Sequence, residues 1–99
     1  MAPIRRLVLD VLKPHSPSTV EFARQVSSAS GVVGVNASLL ETDREVQNIR
    51  LVVEGEAIDA DEVEHRIESL GGTVHSIDEV VAGEEMVEPR DQPQDWLPP

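Results

Sequence analysis

Residues 4–15, IRRLVLDVLKPH, decide the fold. Leu7, Leu9 and Val11 recur at the period of two that puts side chains on one face of a strand, while Arg6, Val8, Asp10 and Leu12 take the other. One face is therefore a core face. Such a strand is stable only with further strands beside it and helices over its apolar side, so the remaining sequence must supply both. Asp10, a carboxylate set into an apolar strand, is the exception to explain.

Working outward, Ser16-Pro17-Ser18 reads as a helix start with a hydroxyl cap and proline at the first helical position. Phe22, Ala23, Val26 and Ala29 follow at three-to-four spacing, which gives one buried stripe, and Gly31 ends the helix. The second strand runs from Val32 to Leu40, with Val33, Val35, Ala37 and Leu39 on one face and Asn36 and Ser38 on the other. A polar connection, Thr42-Asp43-Arg44-Glu45, leads to a third strand from Val46 to Glu54, with Ile49, Leu51 and Val53 in phase. So short a loop between adjacent strands predicts a hairpin. Asp59 caps the next helix with Glu62 at capping-box spacing, and Val63, Ile67 and Leu70 form its buried stripe. Asp61, Glu62, Glu64 and Glu68 read as its solvated face. Gly71-Gly72 closes the helix, and a fourth strand spans Thr73 to Val81. Either parity of that strand leaves Asp78 or Glu79 on the apolar side unless a bulge or a strand end intervenes.

The order β-α-β-β-α-β predicts an α+β, ferredoxin-like two-layer sandwich, in which a four-stranded antiparallel sheet carries both helices on one face. The first 83 residues make this domain. Residues 84–99 shift to Glu, Asp, Gln and Pro and read as an acidic tail, either unstructured or docked on a neighbour through Trp96 and Leu97. The other sheet face is left open, with mixed aliphatic and polar residues that suggest cover by another subunit.

Composition limits the function classes. There is no cysteine, which removes disulfides, thiol nucleophiles and CxxC metal clips. Tyr is absent and Phe and Trp occur once each, so the core rests on many small aliphatic contacts, and assembly would relieve its thinness. With 19 acidic residues against 8 basic ones the formal charge is −11, and the single lysine is Lys13. An acidic surface that uses arginine in place of lysine suits concentrated salt, the halophilic pattern. Nucleic acid is excluded as a partner by the lack of a basic stripe and of stacking aromatics. The first apolar segment is too short for a secretory core or a membrane span, which points to the cytoplasm and to no membrane.

The segments IRRLVLDVLKPH at 4–15, GVVGVNASLLETD at 31–43, VQNIRLVVEG at 46–55 and GGTVHSIDEVVAG at 71–83 resemble a family of short archaeal proteins catalogued as domain of unknown function two-eleven. The resemblance runs to about Gly83 and leaves out the tail. It implies a ferredoxin-like fold and a homo-oligomer in the form of a ring, and offers calcium-like divalent cations as a lead. Any role would be carried by the matching positions Asp10, His15, Asn36, His75, Asp78 and Glu79.

Asp10 and the pair Asp78 and Glu79 would approach one another if the first and fourth strands are neighbours, giving oxygen ligands for a hard divalent cation at a subunit seam. The opposing reading pairs Asp10 with Arg6 or Arg50 and leaves Asp78 at a strand end. His15, Asn36 and His75 are candidate ligand contacts. His15 and His75 have no His or Cys partner at zinc spacing, and Lys13-Pro14-His15 leads into a helix start, where an anion is favoured. Ser16, Ser18 and Ser76 have no His and Asp company, so no catalytic residue is assigned. The expected function is a non-catalytic homo-oligomeric protein that binds a divalent cation or a small ligand. The alternative is a small-molecule-sensing module that holds an amino-acid-like ligand between paired sheets.

Overall fold

In the computed structural model, which describes residues 1–89, the apolar rows set the layers. Leu7, Leu9 and Val11 of β1 (Ile4–Pro14) and Ile49, Leu51 and Val53 of β3 (Val46–Gly55) are all buried on one side of the sheet. There they meet Phe22, Val26 and Ala29 from α1 (Thr19–Ser27) and its C-terminal turn, and Val63 and Ile67 from α2 (Ala60–Ser69). With β2 (Val32–Thr42) and β4 (Thr73–Ala82) the sheet has the order β2-β3-β1-β4, with every neighbouring pair antiparallel. This is the ferredoxin-like α+β fold. Each of these fully buried aliphatic side chains contributes about 1.5–3 kcal/mol of transfer free energy, and Phe22 is the only aromatic ring among them.

Several local readings change. Helix α1 starts at Thr19 with Ser18 as its cap, its hydroxyl accepting from the Glu21 amide at 3.2 Å, in place of Ser16 with Pro17 as the first helical residue. The cause lies in Lys13, which is in phase with Leu7, Leu9 and Val11 and is fully buried. Its ammonium donates to the Pro14 carbonyl at 2.7 Å and the Pro17 carbonyl at 2.5 Å, and it lies 6.0 Å from the centre of the Phe22 ring. The Ser16-Pro17 segment thus closes over the cation before the helix begins. Burial pushes the Lys13 ammonium below the usual lysine range.

In β2 an irregularity between Val32 and Gly34 leaves Val33 unpaired and exposed, and Val32 packs against the core in its place. A second irregularity makes Leu40 the extra residue, so Glu41, not Leu40, lies opposite Asn48 on the open face. Asp59 caps α2 as expected, accepting from the Glu62 amide at 3.1 Å. Glu62 is not merely solvated: its carboxylate accepts from the Ser30 amide and the Ser30 hydroxyl, both at 2.9 Å, and from Arg66 at 3.2 Å. This ties α2 to the turn after α1. Gly31 in the same turn has φ +82, and a Cβ there would lie 1.8 Å from the Ala57 carbonyl oxygen, so the two loops meet backbone to backbone.

The fourth strand answers its own parity problem with two bulges. Opposite β1, Asp78 is the extra residue between Ile77 and Glu79, and His75 is the extra residue between Val74 and Ser76. Ile77 keeps to the helix side, beside Leu9, while Glu79 lies on the open face opposite Val8. The expected docking of Trp96 and Leu97 falls outside the described residues. No helix among the described residues is long and apolar enough to cross a membrane.

Three measurements test these points. Under native conditions an amine-acylating reagent modifies at most the chain's α-amino group, and Lys13 reacts only on unfolding, as read by mass spectrometry. Lys13→Met, which leaves two carbonyls without their donor, lowers unfolding free energy by about 1–3 kcal/mol in urea titrations. For Glu62, the Ser30 hydroxyl and amide hold the carboxyl below its ordinary value of 4.5. A group whose folded pKa is depressed stabilises the fold above its unfolded pKa and ceases to do so as pH falls through the folded one. The stability gap between the parent and Glu62→Gln is therefore widest near neutrality and closes as pH drops below the usual carboxylate range.

Candidate functional site: the acidic end of the open sheet face

On the open face Asp10 lies opposite Arg50 of β3 and Ser76 of β4. Neither arginine of the sequence reading pairs with it. Its carboxylate instead accepts from the Asn48 side-chain amide, which also reaches the Val11 carbonyl at 3.4 Å. Asn48 stands one pair along β3 from Arg50 on the same face, so a short amide reaches diagonally where the longer guanidinium stays in solvent. Around Asp10 a shallow cleft of about 250 Å³ is lined by Leu12, Glu41, Asp43, Val46, Asn48 and His75. The β4 bulge is what brings His75 to this cleft, and the Leu40 irregularity is what brings Glu41.

The rim of the cleft is fixed by the hairpin turn. Asp43 Oδ1 accepts from the Glu45 and Val46 amides, each at 2.9 Å, and these amides hold the Asp43 carboxyl below the usual range. His15 Nε2 donates to the Asp43 carbonyl at 2.6 Å, so His15 braces the turn from β1's end. Asn36 stands apart on β2, where its side-chain oxygen accepts from the Ser38 hydroxyl at 3.0 Å.

The other predicted carboxylates are engaged elsewhere. Asp78 accepts from the Ser76 hydroxyl at 2.7 Å. Glu79 pairs with Arg6 at 3.2 Å, and the same guanidinium binds Glu54 at 2.7 Å and Glu88 at 2.7 Å, three carboxylates around one cation. Those three carboxylates hold the Arg6 guanidinium above its already high ordinary value. Asp10, Asp78 and Glu79 therefore do not gather in one chain, and among the described residues no three His, Asp or Glu side chains converge as ligands of a single ion. A calcium-like cation needs six to eight oxygens, more than this cleft supplies without a second copy. Sequence reasoning did not foresee Glu41 and Asp43 as cleft residues or Arg6 as a hub. Glu41 depends on a bulge that periodicity does not display. Arg6 was in view on the open face, but its partners lie 48 to 82 residues away.

The fold and these placements define a small α+β protein of the ferredoxin-like class with an acidic cleft on its uncovered sheet face. The chain belongs to the archaeal family DUF211, described as uncharacterized ArCR, whose sequence model matches residues 5–96. An uncharacterized protein of Methanocaldococcus jannaschii is 50% identical over 92 residues, covering 93% of this chain and 95% of the relative. The family match continues well past Gly83, into the segment that the sequence resemblance left out.

The Arg6 cluster gives a direct test. Arg6→Met leaves Glu54, Glu79 and Glu88 facing one another, so the variant unfolds at lower urea than the parent. Added salt screens the repulsion and narrows the difference between the two midpoints.

Proposed function

We propose that this chain is a non-catalytic, cytoplasmic building block of a homo-oligomer, adapted to concentrated salt, and that copies meeting at their sheet edges complete a site for a divalent cation or small ligand. The observation that carries this reading is the exposure of aliphatic side chains along both edge strands. Leu39 and Leu40 on β2 are 51% and 48% exposed, and Ile77 and Val80 on β4 are 61% and 49% exposed. Both edges also present unpaired backbone groups, and an edge of that kind is a template for another strand. Because the two edges differ, a β2-to-β4 contact would be head-to-tail and would close into a ring or extend as a fibre.

Cation binding has separate support. Asp10, Glu41 and Asp43 share one cleft with His75, and among the described residues no arginine or lysine lines it. Oxygen ligands from a neighbouring copy would raise the number toward what calcium requires. The same lining favours, as a second reading, the ammonium group of an amino-acid-like ligand, with Asn48 and His75 to orient it.

Sedimentation over a range of protein concentrations in concentrated salt is expected to show an oligomer, and Ile77→Glu, a surface change, is expected to dissociate it. A well-folded single subunit at every concentration overturns the assembly. Calorimetric titration of metal-free protein is expected to show heat at about millimolar calcium, reduced in Asp10→Asn. No heat from calcium together with thermal stabilisation by an amino acid transfers the cleft to the second reading.

A further inference from the structure

Beyond β4 the chain folds back onto the open sheet face as a short strap, residues 84–89. Gly83, with φ +120, makes the turn, and its amide donates to the Pro3 carbonyl at 2.8 Å. Among the described residues no backbone-to-backbone hydrogen bond follows that one, and the strap contains neither helix nor strand. Side chains of β1 fasten it instead. Arg5 donates to the Glu84 carbonyl at 2.6 Å, and Arg6 grips both carboxylate oxygens of Glu88, at 2.7 and 3.1 Å.

What the strap covers is Val81. This residue lies opposite Arg6 on the face away from the helices, and it is only 6% exposed although it stands outside the helix-side core cluster. It lines a hollow of about 340 Å³ with Val80, Ala82, Val87, Glu88 and Pro89. The strap has little apolar grip of its own, because Val87 remains 64% exposed and Met86 is exposed as well. Its hold therefore rests on the two arginines.

The charges around those arginines decide how firm that hold is. The strap carries Glu84, Glu85 and Glu88, and Arg5 and Arg6 already face Glu54, Glu56 and Glu79. Two cations are thus set against six carboxylates, in a chain whose formal charge is −11. Attraction and repulsion in this set differ in reach. The bidentate pair of Arg6 and Glu88 is a hydrogen-bonded contact, no longer than the Debye length of about 3 Å at 1 M salt. The repulsion is summed over an acidic surface and extends about 30 Å at 0.01 M salt. Concentrated salt removes the second and spares much of the first.

We propose that residues 84–89 are a salt-dependent latch: docked on Arg5 and Arg6 in concentrated salt, they release in dilute salt and uncover Val81 beside the β4 edge while the rest of the fold stays closed. The device works within one chain and needs no second copy. It also goes further than a surface that tolerates salt, because one segment responds before the core does.

The chain has no cysteine, so a single introduced thiol reports one position. In Val81→Cys, alkylation by uncharged iodoacetamide is expected to be slow at about 1 M salt and about tenfold faster at about 0.01 M. Val26→Cys, with its thiol in the core, should stay unreactive at both, and Ser28→Cys, at an exposed position, corrects for the effect of salt on the reagent. Adding Glu88→Gln to Val81→Cys should give fast alkylation at both concentrations. Hydrogen exchange of the parent chain needs no substitution: amides of 84–89 should exchange faster in dilute salt while those of α1 and the central strands keep their protection. Slow alkylation of Val81→Cys at both concentrations, with exchange of the strap unchanged, overturns the latch. Fast alkylation at both overturns it too, because the strap is then never docked. If Val26→Cys reacts alongside Val81→Cys in dilute salt, the whole fold opens, which is what adaptation to concentrated salt gives by itself, and the latch is again overturned. Protection that is lost in concentrated salt when the protein is diluted to single chains overturns it as well and assigns the cover to another copy. Sedimentation on the same samples keeps the two proposals apart: a single subunit with salt-dependent alkylation of Val81→Cys removes the assembly and retains the latch.

Discussion

A core with one aromatic ring depends on every aliphatic position being filled, and in this chain that requirement falls on the phase of β1. As the strand between β3 and β4, it supplies Leu7, Leu9 and Val11 to the interior and is paired along nearly its whole length on both sides. A slip of one residue would exchange that row for Arg6, Val8, Asp10 and Leu12, placing two charged groups beneath the helices. Lys13 sits in the interior row as well, and it is tolerated because the Pro14 and Pro17 carbonyls accept hydrogen bonds from its ammonium. The start of α1 is shifted by that arrangement, so one buried cation governs both the end of a strand and the beginning of a helix.

The opposite face follows from the same phase. Residues excluded from the interior must find partners across the sheet, and they sort into two ends. Arg6 collects three carboxylates at one end, one of them from beyond β4. At the other, Asp10 is held by Asn48 in a cleft that no arginine or lysine among the described residues lines. One end of the face is thus electrostatically closed and the other open, in a molecule whose formal charge is −11.

The order of elements, the β1 and β3 rows, the hairpin and the Asp59 cap were legible in the sequence because each is a local, periodic signal. The irregularities at Val33 and Leu40 were not, since a bulge inserts a residue without disturbing the composition around it. The β4 bulges were half legible: the clash between parity and the neighbours Asp78 and Glu79 announced that something must intervene, but not where. Side-chain partners were least legible of all. Ser30 for Glu62 and Asn48 for Asp10 become neighbours only when loops and strands distant in sequence are brought together, and no spacing rule encodes that.

The two bulges of β4 also alter what an edge can display. A regular strand offers a given face one side chain for every two residues, roughly 6.8 Å apart. Where the pleat is interrupted, consecutive residues can share a face, and here the neighbours are His75 with Ser76 and Asp78 with Glu79. Polar groups are thereby crowded on a margin where a uniform ribbon would thin them out. The strand thus reconciles two demands that strict alternation sets against each other: an aliphatic residue, Ile77, kept on the helix side of the sheet though exposed at its edge, and acidic neighbours kept together on the other.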